Sequence, residues 1–253
     1  MAIPATHIQE VADALDAIIA QCLSQNSKLG LFAALYRKVT LRVQTGIAAG
    51  RFEDNERMER LAVRFANRYL EAYQAYNTGQ PLTSAWVLTF DAAKNPMVFM
   101  IQNLLAGMNT HISLDLGIAT AKTAEGQPLA ALERDFNEIN LLLSELINDV
   151  QNALEKTSMT MRVVDWLGGK KDEQLARFSL ELFRSRAWEI TNTLHGLEES
   201  LLAQHINELD DAIRKENNLL TNVSSLFLPP VVRLAALMQN KKAATVIRAI
   251  NAI

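Results

Sequence analysis

Apolar side chains recur at helical spacing along almost the whole chain, and this periodicity is the feature that most restricts the fold. In the first segment they stand at Ile8, Val11, Leu15, Ile18 and Cys22. The alternation typical of strands is nearly absent. Because an amphipathic helix buries its apolar stripe against other helices, the pattern predicts an all-α fold. We expect a bundle of about nine to eleven helices with antiparallel neighbours joined by short loops.

Helix-breaking residues set the expected boundaries. The sequence predicts one helix over about residues 95–122, another over about residues 172–203, and the next from about residue 206. No long segment rich in proline, glycine and serine divides the chain into parts. We therefore expect a single helical domain over residues 1–253.

Composition narrows the class of protein. The formal net charge is −3, so no globally basic surface suggests nucleic acid as a partner. The single cysteine, Cys22, excludes an internal disulfide. The first residues do not resemble a signal peptide, and no apolar run is long enough for a transmembrane helix. From these features we expect a cytoplasmic protein.

Two ionisable residues stand where the helical pattern of residues 95–122 predicts core. His111 and Asp115 are one turn apart and lie among Leu104, Met108 and Ile118. Burying them costs free energy unless each finds a partner. Three interpretations remain open: a hydrogen-bonded pair with a nearby arginine, two ligands of one divalent metal ion, or a base and its orienting carboxylate in a water-filled pocket.

The following helix repeats this anomaly. Asp135 projects near the centre of its apolar face, and Asn140, on the edge of that face, is a candidate ligand-binding residue. A carboxylate in the first turns of a helix complements the helix dipole, which explains its position along the helix but not the direction that it faces. We therefore treat Asp135 as a candidate third ligand or acid beside His111 and Asp115.

The helix predicted after Asp172 also carries candidate ligand-binding side chains. Arg184, Trp188 and His195 fall within roughly 40° of one another around the helix axis. Arg184 is a candidate counter-charge for Asp115 or Asp135, or a group that holds an anionic ligand. The alternative interpretation is a solvated charged stripe with Trp188 at its margin.

The run Asn109-Thr110-His111-Ile112-Ser113-Leu114-Asp115-Leu116 resembles the N-x-H-I-x-x-D-L motif of an uncharacterised bacterial all-helical family, a domain of unknown function. The resemblance extends over roughly residues 30–200. Other matching positions are Tyr36 with Thr40, Phe52 with Asp54, Asp135-Phe136 with Asn140, and Arg184 with Ala187-Trp188. The resemblance implies the fold and implies no activity.

A more distant similarity is to the helical fold of zinc-dependent phospholipase C and single-strand nucleases, which use H-x-x-x-D as metal ligands. His111 and Asp115 match that spacing. The chain has four histidines and no second H-x-x-x-D, so the pattern is incompatible with a trinuclear zinc cluster. At most, the similarity implies one divalent metal ion at His111 and Asp115.

The C-terminal residues have a basic bias. No acidic residue follows Glu216, whereas Arg233, Lys241, Lys242 and Arg248 do. Two interpretations of residues 231–253 remain: short basic helices docked on the bundle, or an amphipathic segment that makes peripheral contact with an anionic membrane or a partner.

Three functional classes follow from these patterns. The first is a metal-assisted or acid/base hydrolase with His111, Asp115 and Asp135 as catalytic residues. The second is a non-catalytic protein with an interior pocket for a small or lipid-like ligand. The third is a non-catalytic protein in which a His-Asp-Arg network is structural. The sequence specifies neither the substrate nor the oligomeric state.

Overall fold

The computed structural model describes residues 4–139, 141–142, 172–222, 234, 236–238 and 242–252, with residues 172–180 described by their backbone. Every regular element in these ranges is helical, which confirms the all-α fold class. The α-helices are α1 (Ile8–Ser24), α2 (Leu29–Ala48), α3 (Asn55–Thr78), α4 (Ser84–Lys94), α5 (Met100–Met108), α6 (Gly117–Thr123), α7 (Asp172–Leu194), α8 (Glu199–Thr221) and α9 (Ala243–Asn251). A π-helix, Asn109–Leu116, joins α5 to α6. Residues 130–139 are also helical.

The ends of α3 follow directly from its sequence. Asp54 precedes the helix in an extended conformation, and its carboxylate accepts a hydrogen bond of 2.8 Å from the backbone N–H of Arg57. This bond satisfies one of the free N–H groups of the first turn. Gly79 ends the helix in the left-handed conformation, with φ of 68°.

Three clusters of buried apolar side chains hold the helices together. The main cluster joins α1, α2, α3 and α9 and contains Leu15, Leu31 and Leu61. A second joins α4, the π-helix, α6, α7 and α8, and a third packs residues of α7 on the π-helix and on Phe136. The π-helix therefore lies at the junction of the bundle, and all eight of its residues are buried.

The continuous helical segment from Met100 to Thr123 matches the helix predicted for residues 95–122, apart from the π-helix at its centre. Close packing against α7 depends on Gly117. A Cβ atom there would lie 2.5 Å from Cγ2 of Ile190 and 3.1 Å from the carbonyl oxygen of Ala187. A side chain at residue 117 would push the two helices apart.

The boundary between α7 and α8 corrects the sequence prediction. The helix expected to reach about Ala203 ends at Leu194, and α8 already begins at Glu199. Gly196 between them has a φ of +79°, which a glycine adopts without strain. Apolar residues continue at helical spacing across this break, so periodicity alone does not locate it.

The last helix, α9, packs on the bundle. In α9 the side chains of Val246, Ile247 and Ile250 are buried in the main cluster, where the helix packs on α1 and α2. Arg248 is exposed, and Arg233 and Lys241 lie outside the described residues. No helix in the described ranges has the length and apolar character that crossing a membrane requires.

Candidate functional site

The N-x-H-I-x-x-D-L motif coincides with the π-helix. A π-helix is rare, and short π-helical turns inside α-helices are frequent at functional sites. His111 and Asp115 project from one side of it, and Asn109 and Ser113 from another. The apolar periodicity of residues 95–122 gives no sign of this local change in helix geometry.

The Asp115 carboxylate accepts hydrogen bonds from three different elements. Oδ1 accepts one of 2.7 Å from Nε of Arg68 on α3. Oδ2 accepts one of 2.9 Å from the indole N–H of Trp86 on α4, and lies 3.1 Å from Nδ1 of His111. Burial acts to raise the pKa of Asp115, but the charge of Arg68 and the hydrogen bonds from His111 and Trp86 outweigh it and hold this pKa below 3.8. Asp115 is therefore an ionised buried group.

His111 is enclosed by aromatic rings. Phe65 stacks on the imidazole with ring centroids 3.8 Å apart, and Tyr36 approaches edge-on at 4.4 Å. Burial lowers the pKa of His111 below 6.5 against the opposing effect of Asp115, so the ring is neutral at pH 7. Because Asp115 is ionised and can only accept, Nδ1 carries the proton and donates a hydrogen bond to the carboxylate. Nε2 is buried and makes no hydrogen bond with any described residue.

Asp135 occupies a separate place in the molecule, which corrects the expectation that it joins His111 and Asp115. Its Oδ2 accepts a hydrogen bond of 2.7 Å from Nη2 of Arg57, and its Oδ1 accepts one of 2.7 Å from the backbone N–H of Glu53. These contacts place the carboxylate at the N-terminus of α3, where it complements the helix dipole. Asp135 does face inward, as its place on the apolar face predicted, and it is 1% exposed.

The other candidate residues are dispersed. Nε2 of His195 lies 3.2 and 3.0 Å from the carbonyl oxygens of Ala124 and Gln127, so His195 caps the end of α6. Trp188 packs against Phe136, with ring centroids 4.9 Å apart.

Arg184 does not supply the counter-charge predicted for Asp115 or Asp135, because Arg68 and Arg57 hold those carboxylates. Burial lowers the pKa of Arg184 to about 10, opposed by Glu181. Asn140 lies outside the described residues.

Sequence reasoning missed Arg68 and Trp86, the two residues that fix Asp115. Arg68 is 47 residues from Asp115 along the chain, and Trp86 is 29 residues away. One signal was present in the sequence: Arg68 directly precedes Tyr69 on a helix whose buried face also includes Leu61 and Met58. A cation bordering such a face is suited to meet a buried carboxylate.

A second polar network, without a net charge at its centre, lies on another side of the π-helix. Nδ2 of Asn217 on α8 lies 2.7 Å from the Thr110 hydroxyl and 3.1 Å from the Thr89 hydroxyl. Oδ1 of Asn217 accepts a hydrogen bond of 3.0 Å from Asn109, whose own Oδ1 accepts one of 2.8 Å from Ser113. This network ties the π-helix to α4 and α8.

The residues present do not fit the divalent metal ion that the sequence allowed. Both oxygens of Asp115 already accept hydrogen bonds, and Nδ1 of His111 is turned to that carboxylate. Among the described residues, no group of three His, Cys, Asp or Glu side chains is placed to share an ion. Zinc and magnesium sites in proteins need more ligands than one imidazole nitrogen.

An open groove of about 610 Å³ runs along the outer face of α3. Its other wall is formed by the chain before α1 and by α6. Arg68 lines this groove while its Nε bonds the buried Asp115, so this one side chain connects the surface with the buried charged network.

A family model described as a family of unknown function (DUF5995) matches residues 8–223. The chain belongs to this family. The match confirms the resemblance to a family of unknown function and extends beyond the 30–200 range on which that resemblance was based. No curated protein and no solved structure matches the chain.

Proposed function

We propose that this member of the family is a non-catalytic helical binding protein in which the Arg68–Asp115–His111 network has a structural role. One observation carries the proposal: Asp115 is ionised, 1% exposed, and already satisfied by donors from three elements. A carboxylate whose acceptor positions are occupied by fixed protein donors is not available to bind a metal or to accept a proton from a substrate.

The surroundings of His111 support the same proposal. A general base must come within about 2.6–3.2 Å of the proton that it removes. The only ring nitrogen of His111 that does not face Asp115 is buried, and the rings of Phe65 and Tyr36 cover the imidazole. A substrate would have to displace these rings to reach Nε2.

A structural role also explains why donors from several elements share one carboxylate. Arg68 is on α3, Trp86 on α4, and both bond one carboxylate of the π-helix. A shift of any of these elements by one residue would leave a buried charge without a partner, which costs several kcal/mol, on the order of 3–5. The network therefore favours a single register of the three helices.

The unpaired Nε2 of His111 is the observation that favours the second candidate function, an acid/base hydrolase. A buried polar atom without a partner costs about 1–3 kcal/mol, and such atoms are sometimes retained for chemistry. In that case the aromatic cover would have to open and admit a substrate to His111.

Carbethoxylation of histidines in the folded protein separates these functions. Diethyl pyrocarbonate modifies an accessible unprotonated imidazole nitrogen, and peptide mass spectrometry reports the modification at each site. His7 is the internal control, because its side chain is 72% exposed. We expect rapid modification of His7 and none of His111 until the protein is unfolded in urea.

Modification of His111 in the folded protein at a rate within about tenfold of that of His7 would contradict the structural role, since it would require less than about 1.4 kcal/mol of protection. It would favour the hydrolase instead, and substrates would then be screened with His111→Gln as the inactive control.

A further inference from the structure

The groove along α3 has an unusual arrangement of like charges. Arg60, Arg64 and Arg68 follow one another at four-residue intervals, so their side chains lie on one side of the helix, and all three line the groove. Like charges at this spacing destabilise a helix. Lys122 adds a fourth cation from α6 on the facing wall.

Most of these cations have hydrogen-bonding capacity left. Within the part of the chain that the structure describes, the side chains of Arg60 and Lys122 form no hydrogen bond or ion pair. Arg64 donates one hydrogen bond of 2.9 Å, to the neutral hydroxyl of Thr123 next to Lys122. Among the described residues, the charges of Arg60, Arg64 and Lys122 therefore meet no carboxylate at hydrogen-bonding distance, whereas that of Arg68 is paired with Asp115.

Arg68 lines the groove, and its side chain is restrained by a hydrogen bond to Asp115. Its Nε donates to Asp115, and its terminal nitrogens have no hydrogen bond with any described residue. Because Asp115 is buried and fixed by Trp86, the guanidinium group is restrained before any ligand arrives. Restraining a side chain in its binding conformation reduces the entropy lost on association.

Among the described residues, the acidic side chains of the groove form no hydrogen bond or ion pair with these cations. Glu59 is engaged elsewhere, since it accepts a hydrogen bond from the backbone N–H of Ile8 and lies 3.8 Å from His7. Glu56 and Glu71 line opposite ends, about 22 Å apart at the helical rise of about 1.5 Å per residue. The cations from Arg60 to Arg68 occupy the stretch between them.

From this arrangement we propose that the groove is the binding site for a small dianion, a phosphate group or a dicarboxylate, held by Arg60, Arg64, Arg68 and Lys122. The inference rests on the proposed binding function and names its ligand class. Guanidinium groups bind phosphate and carboxylate through paired N–H donors, and several cations at one site favour a doubly charged group over a single charge. A volume of about 610 Å³ is that of a small-molecule site.

Isothermal titration calorimetry of the full chain with inorganic phosphate, and separately with succinate, tests the proposal, with sodium chloride at equal ionic strength as the reference. We expect saturable binding of at least one dianion with a dissociation constant below about 1 mM, and none of chloride. Whichever dianion binds more tightly, phosphate or succinate, identifies the ligand chemistry as a phosphate group or a dicarboxylate.

Arg60→Gln/Arg64→Gln removes two cations of the groove, and Arg214→Gln/Lys215→Gln is the matched control. The control makes the same change in net charge on α8, where Arg214 and Lys215 pair with Asp211 outside the groove. We expect the first variant to weaken dianion binding by at least about tenfold and the control to change it less than about twofold. The melting temperature of the groove variant without ligand should not fall, because like-charge repulsion is relieved.

Two results would overturn the inference: no saturable binding of either dianion below about 1 mM, or equal weakening by the groove variant and by the control. Neither result would affect the carbethoxylation of His111, which tests the structural role of the buried network independently.

Discussion

The two polar faces of the π-helix satisfy their buried groups in different ways. On the charged face, Arg68, Trp86 and His111 all converge on the single carboxylate of Asp115. On the neutral face, amides and hydroxyls from Asn109, Asn217 and their neighbours exchange hydrogen bonds with several partners each. A convergent network fails when its centre is removed, whereas a distributed one loses its bonds in part. The charged face should therefore be the more fragile of the two.

Asp115→Ala should give the largest effect. It leaves the guanidinium of Arg68, the indole N–H of Trp86 and Nδ1–H of His111 without their acceptor. We expect the free energy of unfolding to fall by about 3–5 kcal/mol in urea denaturation. Asp13→Ala, on the exposed side of α1, is the control and should change it by less than about 0.5 kcal/mol. A loss below about 1 kcal/mol at Asp115 would show that the carboxylate is not the centre of the network.

Asn217→Ala tests the neutral face. The change removes hydrogen bonds to Asn109, Thr110 and Thr89, but the two hydroxyls remain 3.1 Å apart and can bond each other. We expect a loss of about 1–3 kcal/mol, smaller than that of Asp115→Ala. Asn192→Ala on the exposed surface of α7 is the control. If Asn217→Ala were the more damaging of the two core changes, the comparison between the faces would be reversed.

The pH dependence of stability sharpens the comparison, because the charged face holds the buried titratable groups His111 and Asp115. The pKa of His111 is lowered in the folded protein, so below pH 6.5 the unfolded chain takes up a proton that the folded protein does not. The contribution of His111 is therefore complete above pH 6.5 and is lost as the pH falls, at up to about 1.4 kcal/mol per pH unit. Urea denaturation between pH 7 and pH 5 should show this slope.

His111→Gln should reduce that slope, and His7→Gln, with its exposed imidazole, should retain it. An identical slope in both variants would assign the pH dependence to groups other than His111.

Ser113→Ala should give the smallest effect. Its hydroxyl donates a single hydrogen bond, to Oδ1 of Asn109, and Asn109 keeps its bond to Asn217. We expect a loss of about 0.5–1.5 kcal/mol in the same denaturation experiment. A loss as large as that of Asp115→Ala would mean that the neutral network also depends on one central group.

The sequence predicted the features that depend on neighbours along the chain. The apolar spacing predicted the helices, and the burial of His111, Asp115 and Asp135 followed from the faces on which they lie. The capping of α3 by Asp54 and Gly79 is local in the same way. Such features are local, because a helix repeats every 3.6 residues and its caps contact the adjacent turn.

The pairings between helices were not predictable in this way. Spacing shows that Asp115 faces inward but not that α3 brings Arg68 to it, or that Asp135 meets Arg57 instead of His111. Those contacts depend on how helices pack, which no single helix encodes. The change to π-helical geometry at Asn109–Leu116 and the break at Gly196 were missed for a related reason, since apolar periodicity continues through both.

The free energy of unfolding of His111→Ala, measured by urea denaturation at pH 8, tests the central claim most directly. At this pH the imidazole is neutral in both states, so the change reports the loss of its hydrogen bond to Asp115 and of its packing between Phe65 and Tyr36. A structural network predicts a loss of about 3 kcal/mol. Unchanged or increased stability, as expected for a residue retained for chemistry at a cost to the fold, would contradict the account.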